Sequence, residues 1–337
     1  MKKILALIIL IIAVKQVSAQ ELRTGISVHD PVMIKQDSIY YIFCTGQGIA
    51  MWSSTDMVHW KREKPVFEQA PRWSGEVVPG FKNHIWAPDI SYYNGQYYLY
   101  YAISAFGKNT SAIGVATNTT LHTGDTAYKW VDHGLVIRSI PGTTNWNAID
   151  PNLIVDKQGN AYLAFGSFWG GLKIVKLTKD RLHTDEPLNN LLTIASRVRG
   201  ASSNNPAAIE GNPADAGGNA IEAPFIFRKG KYFYLFASID YCCKGPRSTY
   251  KMIVGRSENV TGPYLDKDGI PMEKGGGTLL LQGDSDWYGV GHNAVCTFNK
   301  QDYLIFHGYD AHDRGISKLR IEKLNWVKGW PEVDKQH

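Results

Sequence analysis

The chain is poor in cysteine, in clustered charge and in long apolar runs, and each shortage removes a class of function. Only four cysteines occur in 337 residues: Cys44, Cys242, Cys243 and Cys296. None stands in a Cys-x-x-Cys pair, so a zinc site of that type is not indicated. No block of lysine or arginine of the kind that tracks phosphates is present, which argues against nucleic acid as a partner. The one strongly apolar run, Ile4 to Val14, is short for a membrane span. No long amphipathic helical period and no low-complexity tail appear.

That short run has a different reading. Lys2 and Lys3 precede it, and Val17-Ser18-Ala19 offers small residues ahead of Gln20. This is the pattern of a secretory signal peptide over residues 1–19, with a retained anchor as the alternative. Without Lys2, Lys3 and Lys15 the formal charge falls from +5 to +2. The expected mature protein is a nearly neutral, secreted or periplasmic monomer, with residues 20–337 as a single domain and no membrane contact. Export permits disulfides. The adjacent Cys242 and Cys243 read equally as a vicinal bridge or as two thiols.

What the chain has in abundance is aromatic side chains (12%) and glycine (33 residues). The aromatics are ordered. Five opening motifs, His29-Asp30-Pro31-Val32, Trp86-Ala87-Pro88-Asp89, Ile149-Asp150-Pro151-Asn152, Glu222-Ala223-Pro224-Phe225 and His292-Asn293-Ala294-Val295, each precede a Tyr/Phe-rich strand. Those strands are centred on Tyr40-Tyr41, Tyr97-Tyr98, Tyr162, Tyr232-Phe233 and Tyr303, spaced 57, 65, 70 and 71 residues apart. Hairpin turns such as Tyr93-Asn94-Gly95 separate opener from aromatic strand. A third strand follows, and an outer strand is expected near Trp60, Trp130, Tyr264 and Trp326. The pattern predicts an all-β fold, a five-bladed β-propeller with four antiparallel strands per blade. A β-sandwich is the main alternative, and the regular motif spacing argues against it.

In a propeller the starts of the inner strands converge on one end of the central axis. Asp30, Asp150 and Glu222 should therefore meet, with His29, His292, Trp86 and Asp89 in the same ring of positions. Taken singly, each Asp-Pro is better explained as a strand cap. Five matched openers, three of them acidic, reverse that. Adjacent strand residues point oppositely, so convergence requires irregular backbone at the opener, which the proline favours. Buried acids with separated pKa values suit glycosidic hydrolysis: one activates water, the other protonates the leaving oxygen. Asp89 is expected to make structural hydrogen bonds. His292 reads equally as a satisfied polar group or as a ligand for an ion or water cluster. Trp86, Phe106, Gly107 and the turn beginning at Ser167 could lie against a ligand. The stretch from Asn189 to Ala220, rich in Asn, Ala, Gly and Ser, is expected to line the site.

These motifs resemble the signature openers of glycoside hydrolase family 43. The fuller strings Asn83-His84-Ile85-Trp86-Ala87-Pro88-Asp89 and Gly142-Thr143-Thr144-Asn145-Trp146-Asn147-Ala148-Ile149-Asp150 most resemble those of its arabinanases. The resemblance covers roughly residues 25 to 330. It implies inverting hydrolysis of α-1,5-L-arabinan, with Asp30 as general base, Glu222 as general acid and Asp150 tuning that acid. His29, Trp86, Phe106, Gly107, Asn147 and Ser167 are then sugar contacts. His292 would stand near one largely water-coordinated calcium ion in the channel, and no organic cofactor is implied. Endo attack is expected. An exo-acting arabinofuranosidase or β-xylosidase, and a sugar-binding propeller without catalysis, are the alternatives.

Overall fold

Second strands built almost wholly of apolar and aromatic residues have no polar face to show to water. They must be covered on both sides, and the fold does this by stacking five sheets face to face around an axis. The computed structural model describes residues 24–197 and 219–333. The expected signal peptide, and most of the Asn189 to Ala220 stretch, lie outside them.

Blade I comprises Val32–Gln36, Ile39–Cys44, Ala50–Ser54 and Lys61–Arg62. Blade II comprises His84–Tyr93, Gln96–Ile103, Ser111–Asn118 and Val131–Ser139, and gains a fifth short strand, Gly46–Gln47, contributed from blade I. Blade III is Asn152–Val155, Ala161–Phe165, Leu172–Lys176 and Leu192–Ala195. Blade IV is Ile221–Lys229, Tyr232–Ile239, Lys251–Ser257 and Thr278–Gln282. Blade V is Trp287–Phe298, Gln301–Asp310, Ile316–Val327 and Trp330–Val333. Each inner strand touches those of the blades before and after it, and blade V closes on blade I. This is the expected five-bladed β-propeller.

The apolar cores lie between blades. Tyr100, Ile113 and Val115 of blade II pack with Leu163, Phe165 and Val175 of blade III. Tyr234 and Phe236 of blade IV pack with Val295, Leu304 and Phe306 of blade V. The hairpin turns hold as expected: Asn94 and Gly95 both take positive φ, which a two-residue turn between twisted strands requires. Two outer-strand assignments need correction. Tyr264 lies in the connection before the outer strand Thr278–Gln282, and Trp326 lies on the third strand of blade V, with Trp330 on the outer one.

The openers share one backbone device. Asp30, Ala87, Asp150, Ala223 and His292 all have positive φ, between 42° and 55°. In blades II, IV and V the pairing register slips across this position, between Trp86 and Asp89, Glu222 and Phe225, and Gly291 and Ala294. It is a β-bulge repeated around the axis. Proline keeps its predecessor out of the right-handed helical region, and the left-handed alternative is the one taken. The fifth motif is thereby corrected by one residue: His292 corresponds to Asp30 and Asp150, and Asn293 stands in the proline position.

Each left-handed residue costs on the order of 1–3 kcal/mol, and the amides of four of the five are held by the preceding blade. Asp30 N–H donates to His307 Nδ1 (3.1 Å), Ala87 N–H to Thr45 Oγ1 (2.8 Å), Ala223 N–H to Asp150 Oδ2 (3.1 Å) and His292 N–H to Ser238 Oγ (2.8 Å). Asp89 acts structurally, as expected, accepting from Leu153 N–H at 2.7 Å and from Asn152 Nδ2 at 3.3 Å. Asn152 in turn accepts from Ile226 N–H at 2.8 Å. The ring is sealed at the start of the described chain. Ser27 bridges Lys318, and Leu319 N–H donates to Ile26 O at 3.1 Å.

Candidate active site

The bulge explains how acids at unlike positions can share one site. A regular strand would send Glu222 and its neighbour to opposite faces. With the next residue left-handed, Glu222 turns toward the same end of the channel as Asp30 and Asp150. All three carboxyls are buried; Glu222 and Asp30 act electrostatically on Asp150, and Asp30 acts on Glu222.

Asp30 is surrounded by donors. Its Oδ1 lies 2.7 Å from His29 Nδ1 and 3.0 Å from His292 Nδ1. Its Oδ2 accepts from Thr45 Oγ1 at 2.5 Å. Burial alone would raise the Asp30 pKa, but His29 and His292 outweigh it and hold the carboxyl well below the usual range. Burial works against the charged form of His292 as well. Asp30 and Asp150 reverse that and push its pKa up to about 9. Asp30 is thus a carboxylate under all ordinary conditions.

Glu222 and Asp150 go the other way. Burial raises Glu222, and the charge of Asp30 adds to the rise. The Ser167 hydroxyl, donating to Glu222 Oε2 at 2.9 Å, pulls back. The Tyr250 hydroxyl pulls in the same direction from nearby, without a hydrogen bond of ordinary geometry to any group. Burial, with repulsion from Glu222 and Asp30, lifts Asp150 to about 8 against the opposing pull of His292. Glu222 and Asp150 therefore titrate as a pair, and the proton they hold belongs to both.

The remaining expected residues frame this centre. Ser167 bridges Glu222 across blades III and IV, and Phe168 N–H donates to Ile221 O at 2.8 Å. Asn147 is buried with its Oδ1 lacking a hydrogen-bond partner. Trp86 is half-buried, and its Nε1 donates to His84 Nδ1 at 3.0 Å. Phe106 and Gly107 follow the second strand of blade II, at the end where Ala102 pairs with Trp86. The Phe106 ring is 79% exposed. So His29 and His292 both contact Asp30, and Ser167 contacts Glu222. Trp86, Phe106 and Gly107 stand on the surrounding surface.

Five contributors escaped sequence reading: Thr45, His84, Tyr250, His307 and Tyr309. Tyr250 fits because Gly291 has no side chain; a Cβ there would fall 2.1 Å from its ring. The Gly289-Val290-Gly291 string was the only sequence signal for it. His307 stacks on His29 with centroids 3.9 Å apart, and Tyr309 Oη pairs with His29 Nε2 at 2.8 Å. Both lie within an aromatic strand and read as core.

The family model described as glycosyl hydrolases family 43 matches residues 25–331. The chain belongs to glycosyl hydrolase family 43. It is therefore a glycoside hydrolase, and its family 43 relatives are similar over nearly their whole length. An extracellular exo-α-(1→5)-L-arabinofuranosidase of Cellvibrio japonicus is 47% identical over 92% of this chain and 87% of its own. An extracellular endo-α-(1→5)-L-arabinanase of Bacillus subtilis is 45% identical over 90% of this chain and 86% of its own. The solved structure of Cellvibrio cellulosa α-L-arabinanase complexed with arabinohexaose superposes with a TM-score of 0.86 at 47% identity, covering 92% of this chain and 96% of that one.

Proposed function

We propose that this family 43 enzyme is exported and cleaves α-1,5-linked L-arabinan by endo attack with inversion. The observation that carries the reaction type is the opposite electrostatic treatment of buried carboxyls at one channel mouth. Asp30 is held ionised by His29, His292 and Thr45. Glu222 and Asp150 are pushed toward their neutral forms.

In this reading Asp30 takes a proton from the attacking water, and Glu222 gives one to the departing glycosidic oxygen. Asp150 tunes Glu222 by sharing the proton that the pair holds, and it fixes Glu222 through the Ala223 amide that it binds. His29, Trp86, Phe106, Gly107, Asn147 and Ser167 contact sugar. The α-1,5-arabinan substrate is supported by the names of the relatives and by the arabinohexaose in the Cellvibrio complex. The extracellular names of two relatives support secretion.

A channel cation belongs to the same proposal. Asp30 occupies Nδ1 of His292, so a metal would bind at Nε2 by displacing the proton that the neighbouring acids keep on that ring. The Asn293 amide beside it is buried with neither Oδ1 nor Nδ2 bonded. One imidazole and one amide oxygen fit an ion that keeps most of its waters, as calcium does when protein oxygens are few. Such an ion would add positive charge near the acids.

The test is chromatography of products from linear α-1,5-arabinan, with wild type beside Glu222→Gln. A ladder of oligomers from wild type alone is expected. The similarity to an exo-acting Cellvibrio enzyme carries the second reading, for which one short product would appear. Wild-type turnover by Glu222→Gln would overturn the assignment of the acid.

A further inference from the structure

Cys242 and Cys243 are joined by a disulfide, and that bridge stands against the site. Cys243 Sγ lies 3.7 Å from His29 Nε2. The Cys243 N–H donates to Tyr309 Oη at 2.7 Å. Tyr309 Oη pairs with His29 Nε2 at 2.8 Å, and His29 Nδ1 with Asp30 Oδ1 at 2.7 Å. A continuous series of hydrogen bonds therefore runs from the bridged dipeptide to Asp30.

The direction of that series follows from counting donors. His307 Nδ1 accepts from Asp30 N–H, so the neutral His307 ring carries its proton on Nε2. That Nε2 faces Tyr309 Oη at 3.3 Å. Cys243 N–H and His307 Nε2–H face the Tyr309 oxygen as donors, and so does the Ser248 hydroxyl, whose own oxygen accepts from Lys244 N–H at 3.1 Å. With donors on those three sides, the Tyr309 proton goes to His29 Nε2. His29 must accept there, and its ring proton sits on Nδ1, aimed at Asp30. Stacking on His307, at 28° between planes, fixes the plane of the His29 ring.

We propose that the Cys242–Cys243 bridge and Tyr309 form a positioning relay that sets the His29 tautomer and holds its Nδ1–H on Asp30, so that turnover depends on the disulfide. The proposal rests on Asp30 acting as base. Cys243 is a non-glycine residue at φ 63°, a conformation that L-residues leave when free to do so. Closing the dipeptide into a ring keeps its N–H on Tyr309. Dithiothreitol would supply two electrons and two protons, break the S–S bond, leave two thiols and itself become a cyclic disulfide. Cys44 and Cys296 are already thiols, so no other bond in the chain responds.

The experiment compares kcat and KM on linear arabino-oligosaccharides for oxidised and dithiothreitol-reduced wild type, Tyr309→Phe, and Cys242→Ser/Cys243→Ser. Imidazole ¹⁵N spectra of each report the His29 tautomer. Tyr309→Phe should lose about 10- to 100-fold in kcat, part of the 10²–10⁴ a positioned base supplies, with KM nearly unchanged. Reduction and the double serine variant should each lower kcat, and reduction of Tyr309→Phe should cost nothing further. The His29 signal should change from Nδ1–H to a mixture in every case. An unaltered kcat in Tyr309→Phe, or an equal loss on reduction with and without the hydroxyl, would overturn the relay. The spectrum of reduced wild type needs no substitution, so a variant that fails to fold leaves the test intact. It also needs no turnover, so inactivity of the oxidised wild type on arabinan would count against the proposed function alone.

Discussion

Thr45→Val removes one hydroxyl and keeps the shape, and its effect can be worked out from two bonds. Thr45 Oγ1 donates to Asp30 Oδ2 at 2.5 Å and accepts from the Ala87 amide at 2.8 Å. Losing a hydrogen bond to an ionised group costs about 1.5–3 kcal/mol, and leaving a buried amide unpaired costs about 1–3 kcal/mol. Asp30 and Ala87 are both buried, so water does not replace the hydroxyl. The expected loss of stability is about 3–5 kcal/mol, or roughly 6–10 °C in Tm at about 2 °C per kcal/mol. Thr45→Ser keeps both bonds and gives up one methyl, about 0.8 kcal/mol. Urea denaturation followed by tryptophan fluorescence measures both variants against wild type. Turnover should fall in the valine variant and persist in the serine variant, because Asp30 loses the contact that holds its Oδ2. Equal stability of the two variants would refute the reasoning and reduce Thr45 to a packing residue.

Ser167→Ala removes a donor that favours the charged form of Glu222. The Glu222 pKa should rise further, and the alkaline limb of the kcat/KM–pH profile should move to higher pH. Asp89 is pushed up to about 7 by burial. Its stabilisation is full below the unfolded value of 3.8 and is lost as pH rises through about 7. The unfolding free energy of wild type from urea denaturation should therefore fall from pH 4 to pH 8 relative to Asp89→Asn, by up to about 4 kcal/mol from a shift of about three pKa units. Gly291→Ala should destabilise by about 1–3 kcal/mol or more through overpacking against Tyr250, measured by thermal unfolding.

Much of this architecture was legible because two signals repeat. Aromatic strands recurring at similar spacing disclosed the blades, and Asp-Pro or Glu-Ala-Pro motifs marked their inner edges. The fifth opener was misplaced by one residue, since Asn293 takes the place of the proline that marks the others. Tyr264 and Trp326 misled because an aromatic near a blade's end is as easily placed in a connection or on a third strand as on the outer strand. Thr45, Tyr250, His307 and Tyr309 were hidden for a deeper reason. Thr45 and Tyr250 stand beside later strands of the acids' own blades, His307 and Tyr309 lie on a strand of blade V, and local sequence carries no sign of which neighbour each will meet. His307 and Tyr309 also sit in a run of aromatics, where a polar ring looks like core.

The closing of the ring sets when activity can exist. Asp30 lies at the start of the first blade, whereas His292, His307 and Tyr309 come from the last, 277 residues separating Asp30 from His307. A growing chain therefore holds every acid long before it holds a working one. The partial product is inert, and hydrolysis reports completion of the circle rather than of any blade. A cut in an outward loop leaves both ends seated and should pass unnoticed. Removal of the Thr24 to Ser27 strip, which latches onto the third strand of the last blade, should silence the enzyme while leaving each carboxyl in the chain. The molecule can thus be opened nearly anywhere except at its own seam.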